Sequence, residues 1–198
     1  MIDPLRLIIG ISGASGVIYG IRLLELLRST AVQSHVVISK AAEMTISYET
    51  DRKASEVKKL ADVCYAIGDV GASISSGSFR TEGMIVAPCS VRTMSEIASG
   101  VTSTLLTRAA DVVLKERRRL VLLVRETPLH AGHLRTMLQV TEMGAIVMPP
   151  VPAFYARPAT IDDMILQTLG RTLDLFGIDA GVVHRWGDNQ QRKRNASD

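Results

Sequence analysis

The feature that most constrains this chain is a repeated alternation. Short, nearly continuous apolar runs rich in β-branched residues are each followed by a longer amphipathic stretch. Candidate strands occupy residues 6–11, 35–39, 84–87, 120–124 and 145–148. None alternates in and out like a strand with one wet face, so each is expected to be covered on both sides. Between them, helical periodicity marks residues 17–28, 41–45, 55–66, 92–98, 103–117, 130–143 and 161–176. Strands alternating with helices predict βαβ units and a Rossmann-like three-layer α/β fold, a mostly parallel sheet flanked by helices. Gly144 and Gly177 are placed as C-caps, and Thr160 with Asp163 three residues on reads as an N-cap.

With 198 residues, 46% hydrophobic and 22% charged, the chain can bury a full core without disulfides or structural metal. No repeat or linker divides it, so residues 1–187 are expected to form one domain. Residues 188–198, with Arg192, Lys193 and Arg194, are expected to be a disordered tail. A net charge of +3, partly concentrated in that tail, argues against a nucleic-acid-binding stripe. No apolar run is long enough to cross a bilayer. Two cysteines without CxxC spacing, and no signal peptide, predict a reducing, cytoplasmic setting. Aromatics make up only 4%, so a flat ligand would be held by backbone, small polar and aliphatic groups rather than by stacking.

The first strand runs into Ser12-Gly13-Ala14-Ser15-Gly16 and then directly into a helix. Free N–H groups at a helix start attract anions, although the same small residues also suit a plain tight turn. The spacing is neither that of a dinucleotide fingerprint nor that of a Walker loop. A second small polar loop, Pro88-Cys89-Ser90-Val91-Arg92-Thr93, leaves the third strand in the same way. Ligands of open parallel sheets lie beyond the carboxyl ends of the strands, so both loops and Ser39 are expected to converge on one ligand. Arg125-Glu126 ends the next strand at the same edge. Cys89 has no evident basic neighbour and reads as a small buried residue rather than a nucleophile. The run from Lys115 to Arg119 reads as solvated charge closing a helix. His130 and His133 form an HxxH without a third ligand, so no metal is expected there. In the last helix Ile161, Ile165, Leu169, Leu173 and Phe176 make the inward stripe, and Arg171 lies about 200° from Leu169. Arg171 therefore faces away, either as an exposed arginine or as part of a site completed by a neighbouring subunit.

Taken together, Gly13-Ala14-Ser15-Gly16, Ile38-Ser39-Lys40-Ala41-Ala42, Pro88-Cys89-Ser90, Arg108-Ala109-Ala110-Asp111-Val112, Leu114-Lys115-Glu116, Arg125-Glu126, Pro152-Ala153-Phe154-Tyr155 and Arg185-Trp186-Gly187 resemble the UbiX-type flavin prenyltransferases. The likeness keeps the family's order and spacing from about Leu5 to Trp186. Residues 74–81 are most similar to the subgroup encoded beside hydroxyarylic-acid decarboxylases, sometimes called their B subunit. The resemblance implies a flavoprotein-type fold, reduced FMN as acceptor and dimethylallyl phosphate as donor. It implies transfer to N5 and C6 without a metal, and a product, prenylated FMN, that serves a UbiD-type aromatic-acid decarboxylase.

By the same resemblance, FMN would be held by Gly13, Ala14, Ser15, Ser39, Ser90, Thr93 and Arg125. The prenyl phosphate would be held by Lys115, Arg125, Glu126, Tyr155 and Arg171. Catalytic roles fall to Ser15, Glu49, Lys115 and Glu126, with Glu126 protonating the leaving group and Glu49 or the released phosphate taking the ring proton. Lys115 and Arg171 thereby pass from solvent-facing to functional. A homododecamer with sites between protomers would let Tyr155 and Arg171 reach a neighbour's flavin. The alternatives are an FMN-dependent cysteine decarboxylase, whose catalytic His and PXMNXXMW-type motif are missing, and a noncatalytic flavin-carrying subunit of a decarboxylase. The chain departs from the family in Ser12, where Thr is common, and in the run from His130 to Arg135.

Overall fold

The structure, a computed structural model, describes residues 4–187, so the tail expected at residues 188–198 lies outside the described residues. Six parallel strands form one sheet in the order β3-β2-β1-β4-β5-β6. They are β1 (Arg6–Ile11), β2 (Gln33–Ile38), β3 (Val63–Tyr65), β4 (Gly83–Cys89), β5 (Arg119–Val124) and β6 (Ile146–Val147). The chain winds outward in both directions from the central pair β1 and β4, where Leu7 lies opposite Gly83 and Gly10 opposite Val86. Every residue of β4 is buried, as its unbroken apolar run requires. The helices are α1 (Val17–Leu27), α2 (Lys40–Glu49), α3 (Ala54–Lys58), α4 (Val91–Ala98), α5 (Leu105–Lys115), α6 (Ala131–Glu142) and α7 (Ile161–Asp174).

One predicted helix is corrected. Residues 55–66 are not a single helix: α3 stops at Lys58, and Val63–Tyr65 pair with His35–Val37 as the edge strand β3. Three half-exposed residues are too few to show a period, and what holds them is long-range. The Asp62 carboxylate accepts from the Ser34 N–H (2.7 Å) and hydroxyl (2.8 Å), and the Tyr65 hydroxyl lies 2.8 Å from His35 Nδ1. The short helix expected at residues 41–45 extends over Lys40–Glu49, because the Ser39 side chain caps it.

The chain divides into two compact units, one ending at Pro149 and one beginning at Pro150. The first holds the whole sheet and α1 to α6; the second holds α7 and the segments around it. Thr160 and Asp163 form the expected capping box of α7, and Gly170 lets Val182 and Val183 approach that helix closely. Ile165, Leu169 and Leu173 are buried as predicted, but Ile161 is 76% exposed, so the inward stripe starts one turn later than the periodicity suggested. Ile161 is the first residue of α7, where the helix has no preceding turn to cover it. Among the described residues no helix is long and apolar enough to cross a membrane.

Candidate active site

Beyond the carboxyl ends of four strands the backbone ladder continues for one more step. The Ser39 N–H donates to the Ile11 carbonyl (2.9 Å), Ser12 N–H to Pro88 (3.2 Å) and Arg125 N–H to Cys89 (3.0 Å). The turns after β1, β2, β4 and β5 are thereby held in sheet register around a cavity of about 700 Å³. It sits at the junction of β1 and β4, where the winding reverses and where ligands of open α/β sheets lie. Its volume is that of a cofactor site. Gly13, Ala14 and Ser15 enter it from one turn, Ser39 from the second, Ser90 and Thr93 from the third, and Arg125 and Glu126 from the fourth. The predicted convergence is therefore what the fold produces. The far wall, Ile67 and Gly68 after β3 with Thr104, Leu106 and Thr107 at the start of α5, was not anticipated. The hydroxyl run Ser103-Thr104 at the start of a predicted helix was the available signal.

Local capping sets the hydroxyls. Ser39 Oγ accepts from the Ala42 N–H (3.1 Å) at the start of α2. Ser90 Oγ accepts from the Thr93 N–H (3.2 Å) at the start of α4 and donates to Thr93 Oγ1 (3.1 Å). Among the described residues the Ser39 and Thr93 hydroxyl hydrogens then have no acceptor, and the Gly13 and Ser15 N–H groups have no partner. Four donors thus remain for a ligand. The start of α1 differs from the expectation of an open anion site. Gly16, at φ 94°, caps it without a side chain, and the Gly16 and Val17 N–H groups donate to Glu49 Oε2 (2.8 and 3.2 Å). A carboxylate of the same chain already complements the helix dipole, and the loop's free donors are the N–H groups of Ser15 and Gly13, one and three residues before Gly16.

Arg125 is exposed and has no ion-pair partner among the described residues, whereas Glu126 accepts the Thr127 N–H (3.0 Å). Arg92, at the rim, is paired with Glu96 (2.9 Å). Burial pushes the Cys89 thiol up to about 12, so it is no nucleophile near neutral pH. His130 caps α6, its Nδ1 accepting from the Gly132 (3.0 Å) and His133 (3.4 Å) N–H groups, and the two imidazoles stack at 3.6 Å. The HxxH spacing is thus a helix cap. Among the described residues no three His, Cys, Asp or Glu side chains gather as a metal site.

The remaining implied residues stand elsewhere. Glu49 is not among the residues that line the cavity; its carboxylate sits at the start of α1, next to the loop that does. Lys115 ends α5, about 12 Å along the helix from Thr107, the nearest residue of α5 that lines the cavity. It pairs with Glu116, and that hydrogen bond holds the Glu116 carboxyl below the usual carboxylate range. In the second unit the Tyr155 hydroxyl accepts from Gln167 Nε2 (3.3 Å), and its ring meets Trp186 edge-on at 5.6 Å. Arg171 follows Gln167 by one turn and reaches Asp174 (2.6 Å). Asp174 also takes a fork of bonds from Arg185 (2.9 and 3.0 Å), the largest reason its carboxyl is held below its ordinary range. The Arg171 side chain is 49% exposed, as its helical position predicted.

Residues 1–170 match the protein family described as Flavoprotein. Over 189 residues the chain is 54% identical to the flavin prenyltransferase UbiX of Thauera aromatica, an alignment covering 96% of this chain and 97% of that one. The chain belongs to the flavin prenyltransferase family. Two solved structures of this kind resemble it closely. AnUbiX (PadA1) in complex with FMN and dimethylallyl pyrophosphate is 52% identical with a TM-score of 0.92, covering 93% of this chain and 98% of that chain. A dodecameric FMN-dependent UbiX-like decarboxylase from Escherichia coli O157:H7 is 48% identical with a TM-score of 0.90, covering 92% and 99%. This flavin prenyltransferase family member thus shares its overall fold with both solved relatives.

Proposed function

We propose that this chain joins the dimethylallyl group of dimethylallyl phosphate to N5 and C6 of reduced FMN, and that the product, prenylated FMN, serves a UbiD-type aromatic-acid decarboxylase. The observation that carries the reading is the edge cavity, where open Gly13 and Ser15 N–H groups and the Ser39 and Thr93 hydroxyls stand with Arg125 and Glu126. Neutral donors of this kind suit one phosphate, and Ile67, Val91 and Leu106 offer an aliphatic wall for a flat ring. The residues present therefore fit FMN. The bound reduced flavin would supply the nucleophilic N5 and C6 atoms.

The chain's own contribution is electrostatic and protonic. As the allylic C–O bond of the donor breaks, its electron pair passes to the phosphate, and Arg125 stabilises the growing charge. Glu126, with one oxygen fixed by the Thr127 N–H, protonates the leaving oxygen. Ring closure at C6 releases a proton to the freed phosphate or to Glu49. Glu49 has Oε2 committed to α1, and its Oε1 has no hydrogen-bond partner among the described residues. Lys115, about two helical turns from the wall of its own cavity, acts in a neighbouring copy's site, and Tyr155 and Arg171 are assigned to a neighbour's site in the same way. The dodecameric relative supports such an assembly.

The test is turnover of the purified protein with FMN, a reductant and dimethylallyl phosphate, read by the mass and absorbance of the released flavin and by free phosphate. Prenylated FMN with matching phosphate is expected. Unchanged FMN would mean a carrier or a decarboxylase and would end the prenyltransferase reading.

A further inference from the structure

Ser12, the residue after β1, is fully buried and lines no part of the cavity. Its hydroxyl donates to the Pro88 carbonyl (2.9 Å) and accepts from the Ser90 N–H (2.7 Å), while its own N–H donates to the same carbonyl (3.2 Å). A serine hydroxyl has one hydrogen, and here it is committed to Pro88. The Ser90 N–H therefore meets a lone pair of fixed direction. Three bonds thus tie the turn after β1 to the last residues of β4 and the turn that follows, across a sequence separation of 76 to 78 residues.

Each of the two turns leads directly into ligand donors. Gly13 comes immediately after Ser12. On the other side Ser90 caps α4 and orients the Thr93 hydroxyl. Alanine would fill nearly the same volume but would leave the Ser90 N–H without its acceptor and the Pro88 carbonyl with the Ser12 backbone N–H alone. The contribution of Ser12 is thus alignment rather than space filling.

We propose that Ser12 is a positioning residue, which clamps the two turns so that their donors meet the phosphate end of the flavin as one set. The inference rests on the reading of the cavity as an FMN site. Its signature is selectivity for the phosphate: the clamp acts on FMN affinity and leaves riboflavin, which lacks the phosphate, almost unaffected.

The experiment compares the wild type, Ser12→Ala, Ser12→Thr and Ser12→Cys in titrations with FMN and with riboflavin, alongside urea unfolding. The wild type must prefer FMN over riboflavin; if it does not, the placement of the phosphate fails and the clamp with it. Given that preference, Ser12→Ala should lower FMN affinity about tenfold. Riboflavin affinity should change less than about twofold, and Ser12→Thr, which keeps the hydroxyl, should restore the preference. If Ser12→Ala does not fold, Ser12→Cys, a weak donor and acceptor of similar size, carries the same comparison. An equal loss for both flavins, or no loss for either, overturns the proposal.

Discussion

Gly13 lies between the turn after β1 and the first turn of α2, with no room for a side chain. A Cβ added there would lie 2.4 Å from the Ala41 Cβ, 3.1 Å from the Ala41 carbonyl carbon and 3.3 Å from its Cα. Carbon atoms in contact settle at about 3.5–4.0 Å, so Gly13→Ala must drive the turn and α2 apart by about 1 Å. Overpacking of this kind costs about 1–3 kcal/mol. The functional cost is larger, because the Gly13 N–H and the Ser39 hydroxyl stand on opposite sides of that contact and would no longer meet one phosphate. FMN affinity is expected to fall tenfold or more, about 1.4 kcal/mol per tenfold. Prenyl transfer is expected to fall on the order of 100-fold. Ala41→Gly alone, at an exposed site in the first helical turn, should cost at most about 1 kcal/mol of stability. In the double variant the 2.4 Å contact disappears and the closest remaining distances are 3.1 and 3.3 Å. FMN affinity should then recover most of the loss, a coupling of about 1–2 kcal/mol between the two sites. Fluorescence titration of all four proteins, with urea unfolding to confirm that each is folded, measures the cycle. Wild-type FMN affinity in Gly13→Ala, or no recovery in a folded double variant, would refute the steric argument.

Two further outcomes come from the geometry. Burial, with the Arg6 charge adding and Asp62 opposing, holds the His35 imidazole below its ordinary pKa, and both ring nitrogens are engaged, by Tyr65 (2.8 Å) and Gln33 (3.2 Å). A depressed folded pKa means that the stabilisation is full above about pH 6.5 and is lost as pH falls through that value toward the folded pKa. Urea midpoints of the wild type should therefore drop between pH 7.5 and 5 more steeply than those of His35→Phe; parallel profiles would show that His35 does not titrate with folding. Arg171→Ala should abolish prenyl transfer while sparing FMN binding, and mixing it with Ser15→Asp after dissociation and reassembly should recover part of the activity. An inactive mixture in which mixed oligomers demonstrably form would place Arg171 outside a shared site.

The alternation of apolar runs with amphipathic stretches was enough to specify a parallel sheet covered on both faces, because strands buried on two sides and helices buried on one leave different local periods. It also placed the candidate site. Once β1, β4 and β5 were recognised, the turns after them had to share one edge, and Gly13, Ser39, Ser90, Thr93 and Arg125 do line one cavity there. Order and spacing of the short motifs carried the family.

Only the tertiary structure decided the contacts between residues far apart in the chain, which leave no periodic trace. β3 exists because Asp62 and Tyr65 find Ser34 and His35, and its three residues alone read as the end of a helix. The anion at the start of α1 is Glu49, 33 residues from Gly16, where the sequence suggested an open site. Ser12 stands in the sequence only as a departure from the family's threonine, and the fold shows its hydroxyl bonding both Pro88 and Ser90. Lys115 matches a phosphate-binding motif, and only the fold reveals that it does not line the cavity of its own chain. Periodicity reports which side of an element is buried; hydrogen-bond partners and the ends of elements are set by how the finished layers meet.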